Sequence, residues 1–546
     1  MWDYSRRSRV RAPSWRRARS LAPAPTATVT LLPVADRTGR RYPDKLDTSI
    51  FRIAGVCVLV AVMTNIDITA IGVAQRALIA DFHSNQAVVG WTVTGYTLAL
   101  AAAIPMAGWA ADRCGTKRLF IGSVLVFTSG SLLCVMAPNL LSLIVFRMVQ
   151  GLGGGILLPL NFTIVVREAG TQRLGQLMAV LGIPMMLGPI GGPILGGWLI
   201  ETHGWRWIFG INLPIGLIAL VLAGMVLPKD RPGPAALFDL VGMLLLSPGL
   251  ATFLYGMSSM PSRGTVADRH VLIPAGIGLA LMSGFVVHVL HRTAHPLIDL
   301  RLLTNRSVTL ANLAMFLFAI GFFGAELLFP SYLQQLLHQT PLQSGFHMVP
   351  QGLGAMLAMP LAGTTLNKHG PAKAVLVGIT LTGLGMGIFA HAAAKQAGYL
   401  PTLFGGLAII GFGAGCTMMP LSAAAVQTLS PHQIAPGSTL ISVNQQVAGS
   451  IGVALMSMIL TSQFSRSENI ATATGLAPLQ QDATIREAPV VPLVTPHDAL
   501  ARAFVSNVSH DLAHAYATVF VLATVMLASI VIPAAFLATR TLTVRR

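Results

Sequence analysis

Stretches of about 20 residues with almost no charge recur along this chain, each long enough for a helix to cross the roughly 30 Å hydrocarbon layer of a bilayer. A helix satisfies every backbone donor and acceptor within such a segment, so the runs restrict the fold to a bundle of membrane-spanning helices. Of the 546 residues only 10% are charged and 53% are hydrophobic, with a mean hydropathy of +0.69. A soluble protein carries about 25% charged residues, so this chain has too little polar surface to face water.

Spans are predicted near 52–76, 87–110, 119–137, 140–166, 174–200, 206–227, 239–259, 270–291, 308–336, 345–366, 373–393, 399–426, 438–461 and 515–538, fourteen in all. Two divisions rest on turn chemistry, at Ala137-Pro138-Asn139 and between Ser430-Pro431 and Pro436-Gly437. With the N-terminus in the cytoplasm, the basic residues predicted outside are Arg76, Arg206, Arg263, Arg269, Lys395, Arg466, Arg486 and Arg502. Apart from Arg147 the rest of the 36 lie inside, a strong positive-inside bias that puts both termini in the cytoplasm. The net charge of +17 therefore marks topology and implies no nucleic-acid partner.

The first fifty residues combine Pro13, Pro23, Pro25, Pro33 and Pro43 with many arginines. They are expected to be a disordered basic cytoplasmic tail, drawn to anionic lipid or arising from an upstream start codon. Cys57, Cys114, Cys134 and Cys416 show no metal-type spacing.

Three ionisable residues stand inside spans: Asp67, Arg147 and Glu326. A charge at bilayer depth costs roughly 2.5–3.5 kcal/mol on insertion scales, so such groups are kept for a task. They are expected to be sheltered from lipid and to face a cleft between two helical bundles.

An internal repeat gives those bundles. Gly108, Asp112, Arg113, Gly115 and Arg118 recur in degraded form, at the same offsets, as Gly363, Asn367, Lys368, Gly370 and Lys373. Gly151-x-Gly-x-Gly155 recurs as Gly411-x-Gly-x-Gly415, with Leu407 at the position of Arg147. Duplicated halves with a site near the midplane are how many secondary transporters are built. The expected organisation is a tail (1–50), a six-helix bundle (51–228), two inserted helices (229–300), a second six-helix bundle (301–540) with an extracytoplasmic loop at 462–514, and a short cytoplasmic tail (541–546).

Gly108-Trp-Ala-Ala-Asp112-Arg113-Cys-Gly115-Thr-Lys117-Arg118 resembles the cytoplasmic loop motif of the major facilitator superfamily. Arg147-Met-Val-Gln150-Gly151-Leu-Gly153 resembles its fourth-span pattern, and Gly188-Pro189-Ile-Gly191-Gly192-Pro193-Ile-Leu-Gly196-Gly197 the fifth-span motif of antiporters. Asn65-Ile-Asp67-Ile-Thr69, and Trp205-Arg206-Trp207-Ile-Phe209 followed by Asn212 and Pro214, are similar to the fourteen-span drug:proton antiporters. The resemblance, over about residues 50–540, implies an all-α integral membrane protein of the major facilitator fold: two six-helix bundles plus two extra helices. It also implies proton-coupled efflux of hydrophobic, cationic small molecules across the cell membrane by alternating access. An endogenous lipid, peptide or siderophore-like product is the alternative cargo, and a proton-coupled uptake symporter ranks below both.

Several site roles follow. Asp67 lies about 22 Å along its helix at 1.5 Å per residue, well inside the membrane. Desolvation and a nearby cation act oppositely on a carboxylate, so a conformational change can load or unload its proton. Competition between proton and cationic drug for Asp67 is one reading; a structural hydrogen bond to backbone or Thr69 is the other. Arg147 either pairs with that acid or holds loosened carbonyls in the glycine-rich helix, the resemblance favouring proton coupling, and Gln150 shares its face. Glu326, near Phe322, Phe323 and Phe329, either attracts a lipophilic cation or faces water. Gly188, Gly192 and Gly196 form one helical face beside Pro189 and Pro193, expected as a bendable seam between the halves, with plain packing as the alternative. Gly108, Asp112, Arg113, Gly115 and Arg118 are expected to form a cytoplasmic latch, Asp112 bonding to basic groups and helix ends.

No catalytic His/Asp, HExxH or Ser/His/Asp set and no phosphate-cradling Gly-x-x-x-x-Gly-Lys-Ser/Thr loop is found. An enzyme or ATP-driven pump is thus not expected, and no cofactor or metal is needed beside a proton gradient. The expected partners are the bilayer, protons and a small-molecule cargo, with an accessory export protein left open.

Overall fold

The computed structural model describes residues 48–84, 86–169, 188, 191–192, 194–230, 238–263, 265–291, 296–430, 433–470, 472, 496–532 and 534. Among them every regular element is helical. In the first half these are α1 (Thr48–Asp81), α2 (Trp91–Ala103), α3 (Met106–Cys114), α4 (Thr116–Val135), α5 (Leu140–Ala169), α6 (Arg206–Gly210) and α7 (Asn212–Val226). The insertion is α8 (Leu240–Arg263) and α9 (Arg269–His291). The second half holds α10 (Arg306–Glu326), α11 (Leu328–Leu336), α12 (Pro341–His347), α13 (Val349–His369), α14 (Pro371–Ala394), α15 (Phe404–Val426), α16 (Ile434–Arg466) and α17 (Pro496–Ser529).

Local chemistry sets the breaks. Pro105 cannot donate a helical hydrogen bond, and the predicted second span divides there into α2 and α3, inclined by 54°. α12 opens on a capping box in which Thr340 and Gln343 bond each other's backbone amides. Gly115 and Gly370, at φ 88° and 85°, turn the chain into α4 and α14 in the left-handed region where glycine carries no penalty.

Large apolar side chains such as Leu141, Leu217, Met225, Leu279 and Leu357 are exposed along the helices, as a lipid-facing surface requires. Behind them lie several apolar cores, the two largest centred one in each half. Phe120, Phe127, Leu157 and Leu160 fill the first half. Phe329, Tyr332, Phe389, Tyr516 and Phe520 fill the second, with Phe329 stacked on Phe520 at 5.2 Å.

The duplication appears in packing. Gly151 lies against the carbonyl of Tyr96 as Gly411 lies against that of Gln351; Gly155 faces Leu100 as Gly415 faces Ala355; Gly153 faces the amide of Phe127 as Gly413 faces that of Thr382. The inserted α8 touches both halves, through α2 and α16. Trp91 stacks on Tyr255 at 5.6 Å and Trp109 packs on Phe238 at 4.5 Å.

Two expectations, the span count and the long loop, compare with the structure as follows. Among the described residues eleven helices are long and apolar enough to cross a membrane, or twelve if the bent pair is one span, against fourteen expected over the whole chain. The predicted fifth span falls largely outside the described residues, and α13, diluted by Gln351, Thr364, Thr365, Asn367 and Lys368, is a helix less apolar than the rest. The expected loop at 462–514 is shortened from both sides, since α16 runs to Arg466 and α17 starts at Pro496. Phe464 against Tyr516, and Ser467 and Asn469 donating to Asp511, tie these polar extensions together.

Candidate functional site

Within the first half, α1, α2, α4, α5 and α7 bring their few polar side chains to one point. Asp67, Arg147, Gln150, Ser131 and Thr92 are fully buried, and Asn212 is 1% exposed. Arg147 Nη1 meets Asp67 Oδ2 at 2.5 Å and donates to Gln150 Oε1 at 2.6 Å. Gln150 Nε2 donates to Asp67 Oδ1 at 2.9 Å and to Ser131 Oγ at 2.6 Å. Asn212 Nδ2 donates to Asp67 Oδ1 at 2.7 Å. Arg147 Nε bonds the Thr92 carbonyl at 3.2 Å, and the guanidinium lies 4.1 Å from the Tyr96 ring centre, a cation–π contact.

Helix packing makes this convergence possible. A Cβ at Gly130 of α4 would stand 2.8 Å from the backbone of Gln150. Without one, α4 approaches α5 closely enough for Ser131 to reach Gln150. The acid thus has three donors, and its charge is matched by a single arginine.

The three predicted residues Asp67, Arg147 and Gln150 are therefore brought together, sheltered from lipid. The expected position facing a cleft between the bundles is not what the structure shows: every partner comes from the first half, and no side chain of the cluster is exposed. The sequence by itself predicts no role for Asn212, Ser131, Tyr96 or Thr92. Asn212 had a signal, an amide beside the Trp205-Arg206-Trp207 motif in an apolar run, but a hydroxyl such as Ser131 in a helix gives none, since it usually bonds its own preceding turn.

Glu326, Phe322 and Phe323 lie apart from this cluster. Glu326 accepts from Gln351 of α13 at 2.5 Å. Phe322 is buried in the second-half core, stacked on Phe318, and Phe323 is half-buried beside Gly449 of α16.

The predicted latch residues gather at the Arg/Lys-rich end. Asp112 pairs with Arg167 of α5 at 2.7 Å. The expected bond from Asp112 to a helix end is instead made by Asp230, whose carboxylate accepts from the amides of Lys117 at 2.8 Å and Arg118 at 3.0 Å, at the start of α4. Gly115 turns these amides outward, and a side chain there would collide with Asp230. Lys117 Nζ in return bonds the carbonyls of Gly224 at 2.6 Å and Leu227 at 2.9 Å, closing the end of α7. Each charge meets the helix pole that favours it. Arg113 is exposed. Gly108 approaches Thr439 of α16, and Thr163 Oγ1 lies 2.5 Å from Ser438 Oγ, so the halves are in contact at this end.

Gly188, Gly192 and Gly196 pack on Asn65, Thr69 and Ala70 of α1. The seam is thus internal to the first half, not between halves as expected, because the small face meets its neighbour at the turns that flank Asp67. Thr69 also donates to the carbonyl of Gly188 at 3.2 Å. The predicted hinge prolines Pro189 and Pro193 lie outside the described residues.

The model for the Major Facilitator Superfamily matches residues 56–453. The chain is 63% identical over 502 residues to the multidrug resistance protein B homolog of Mycobacterium tuberculosis, covering 92% of each. It is 27% identical to the multidrug export protein EmrB of Haemophilus influenzae, covering 77% of this chain and 82% of that protein. Among solved structures, the human organic anion transporter MFSD10 superposes with a TM-score of 0.58 at 15% identity, over 88% of this chain and 100% of that one. The POT family transporter PepTSo gives 0.56 at 14% identity, over 90% and 99%. These two share the fold. With the family model spanning most of its length and a close relative along nearly all of it, this chain belongs to the Major Facilitator Superfamily.

Proposed function

We propose that this protein exports hydrophobic small molecules, cationic ones among them, across the cell membrane in exchange for protons, with both termini in the cytoplasm. Multidrug resistance and export are what its relatives are named for. The observation that carries the proton-coupled reading is the closed Asp67–Arg147 pair with Gln150 and Asn212 as further donors.

Charge balance gives the mechanism. Protonating Asp67 in this arrangement strands Arg147 without its counter-charge, and breaking a buried pair in that way costs roughly 3–5 kcal/mol. Driving a two-state equilibrium from 1:99 to 99:1 takes about 5.5 kcal/mol. One proton on Asp67 therefore supplies most of what a switch between inward- and outward-facing states needs. The Gly188–Gly192–Gly196 seam on Asn65 and Thr69 lets the fifth span follow α1 as the pair opens.

The test is dye efflux in inverted membrane vesicles under an imposed pH gradient. Asp67→Asn and Arg147→Ala are expected to insert in normal amounts and to lose gradient-driven transport. Undiminished transport in both sinks the coupling role while leaving the fold intact.

A further inference from the structure

The pseudo-twofold relation between the halves matches partners position by position, and one position breaks it. The register that aligns Gly108 with Gly363 and Gly115 with Gly370 also aligns Tyr96 with Gln351 and Asp67 with Phe322. Packing pairs the corresponding helices, Gly452 of α16 meeting Ile320 and Gly324 of α10 as the fifth-span glycines Gly188 and Gly192 meet Asn65 and Thr69 of α1. Glu326 then lies one helical turn beyond the counterpart of Asp67, on the same face of α10. Its partner Gln351 stands where Tyr96 lies against Arg147 in the first half. Each half thus carries one carboxylate at the corresponding helix pair.

The second half lacks the cation. The counterpart of Arg147 is Leu407, fully buried in the second-half core. Among the described residues no Lys, Arg or His pairs with Glu326. Gln351 is 7% exposed, and its Oε1 is buried with no hydrogen-bond partner among the described residues. With Gln351 Nε2 on Glu326 Oε2, the other oxygen of each side chain is left as an acceptor among the described residues. A carboxylate in a span is kept where something pairs with it, and hydrogen bonds from a charged donor are about twice as strong as neutral ones. Asp67 offers no such opening, since Arg147, Gln150 and Asn212 occupy both its oxygens.

We propose that Glu326 and Gln351 hold the positive head of the cargo, and that this head is a protonated amine on an apolar body. The ammonium takes the place of the missing arginine, its N–H groups donate to the free oxygens of Glu326 and Gln351, and the apolar body lies along Phe323. The assignment rests on the export function proposed above and sharpens it: proton and cargo act on different carboxylates in different halves.

Equilibrium binding to the purified full-length protein in nanodiscs tests this without a pH gradient, so its outcome is separate from that of the coupling experiment. The probes are 1-aminomethylpyrene and its uncharged N-acetyl derivative. Glu326→Gln is expected to weaken the amine by about tenfold or more, as loss of a charge-assisted contact does, and to leave the acetylated probe nearly unaffected. Glu326→Asp, which keeps the charge, is expected to restore most of the affinity. Unaltered amine binding in Glu326→Gln overturns the assignment. So does equal weakening of both probes, which marks lost packing.

Discussion

At the scale of single residues, Asn212 shows how much a neutral side chain contributes beside a buried charge. Its amide is one of three donors on Asp67 and also lies 3.3 Å from Ser131 Oγ. Asn212→Leu keeps the approximate volume and removes the donor. A hydrogen bond to a charged group is worth about 1.5–3 kcal/mol, so initial rates of gradient-driven efflux in vesicles, at matched protein amount, are expected to fall by about tenfold or more. Rates within twofold of wild type would show that Arg147 and Gln150 suffice to hold the acid. Asp67, Arg147 and Gln150 stood out from sequence because charge and amide are rare at bilayer depth. Ser131 and Tyr96 did not, because a serine or tyrosine in an apolar helix is common and only its neighbours give it a role.

At the scale of elements, the glycine stripe and the inserted helices behave differently from first expectation. Gly192 faces Thr69 so closely that any side chain collides with it, whereas Gly191 and Gly197 of the same segment have open space. Gly192→Val is expected to lower the melting temperature of the detergent-solubilised protein, by a destabilisation of about 1–3 kcal/mol typical of overpacking. Gly191→Ala is expected to leave it unchanged. Equal melting of both variants would show that the fifth span and α1 are not held in this contact. The four-residue spacing was legible in sequence, but which neighbour it serves was not, since a small face specifies close approach and not the identity of the approaching helix. Likewise the sequence marks α8 and α9 only as an insertion. The grip of α8 on both α2 and α16, and the bond between Asp239 and His288 at 2.8 Å that joins the ends of the pair, depend on tertiary placement.

At the scale of the whole molecule, the halves touch at the Arg/Lys-rich end through Thr163 and Ser438, and through Gly108 and Thr439. Alternating access requires this contact to part. A Thr163→Cys, Ser438→Cys pair, in a background where the exposed Cys114 is replaced by serine, is expected to cross-link on oxidation, to halt efflux and to regain it on reduction. Full transport by the cross-linked protein would mean that the end of the bundle containing these residues does not open during the cycle. Asp112→Asn, which removes the partner of Arg167, is expected to weaken closure at the same end and to slow efflux without abolishing substrate binding.

Hydropathy, the bias of basic residues and the repeated glycine motifs determined, from sequence alone, a duplicated helical membrane bundle with a lone acid and a lone arginine in its first half. Those features are legible because the bilayer penalises each polar group by itself, so a charge inside a span is informative before any neighbour is known. Where the charges point is a property of pairs of helices. Only the tertiary structure decided that Asp67 and Arg147 close on each other inside one bundle, that Asp230 and not Asp112 caps α4, and that Glu326 faces a glutamine while a leucine fills the arginine's counterpart position. Each outcome turns on which helix a small residue lets approach, and short-range packing fixes that only once the bundle has formed.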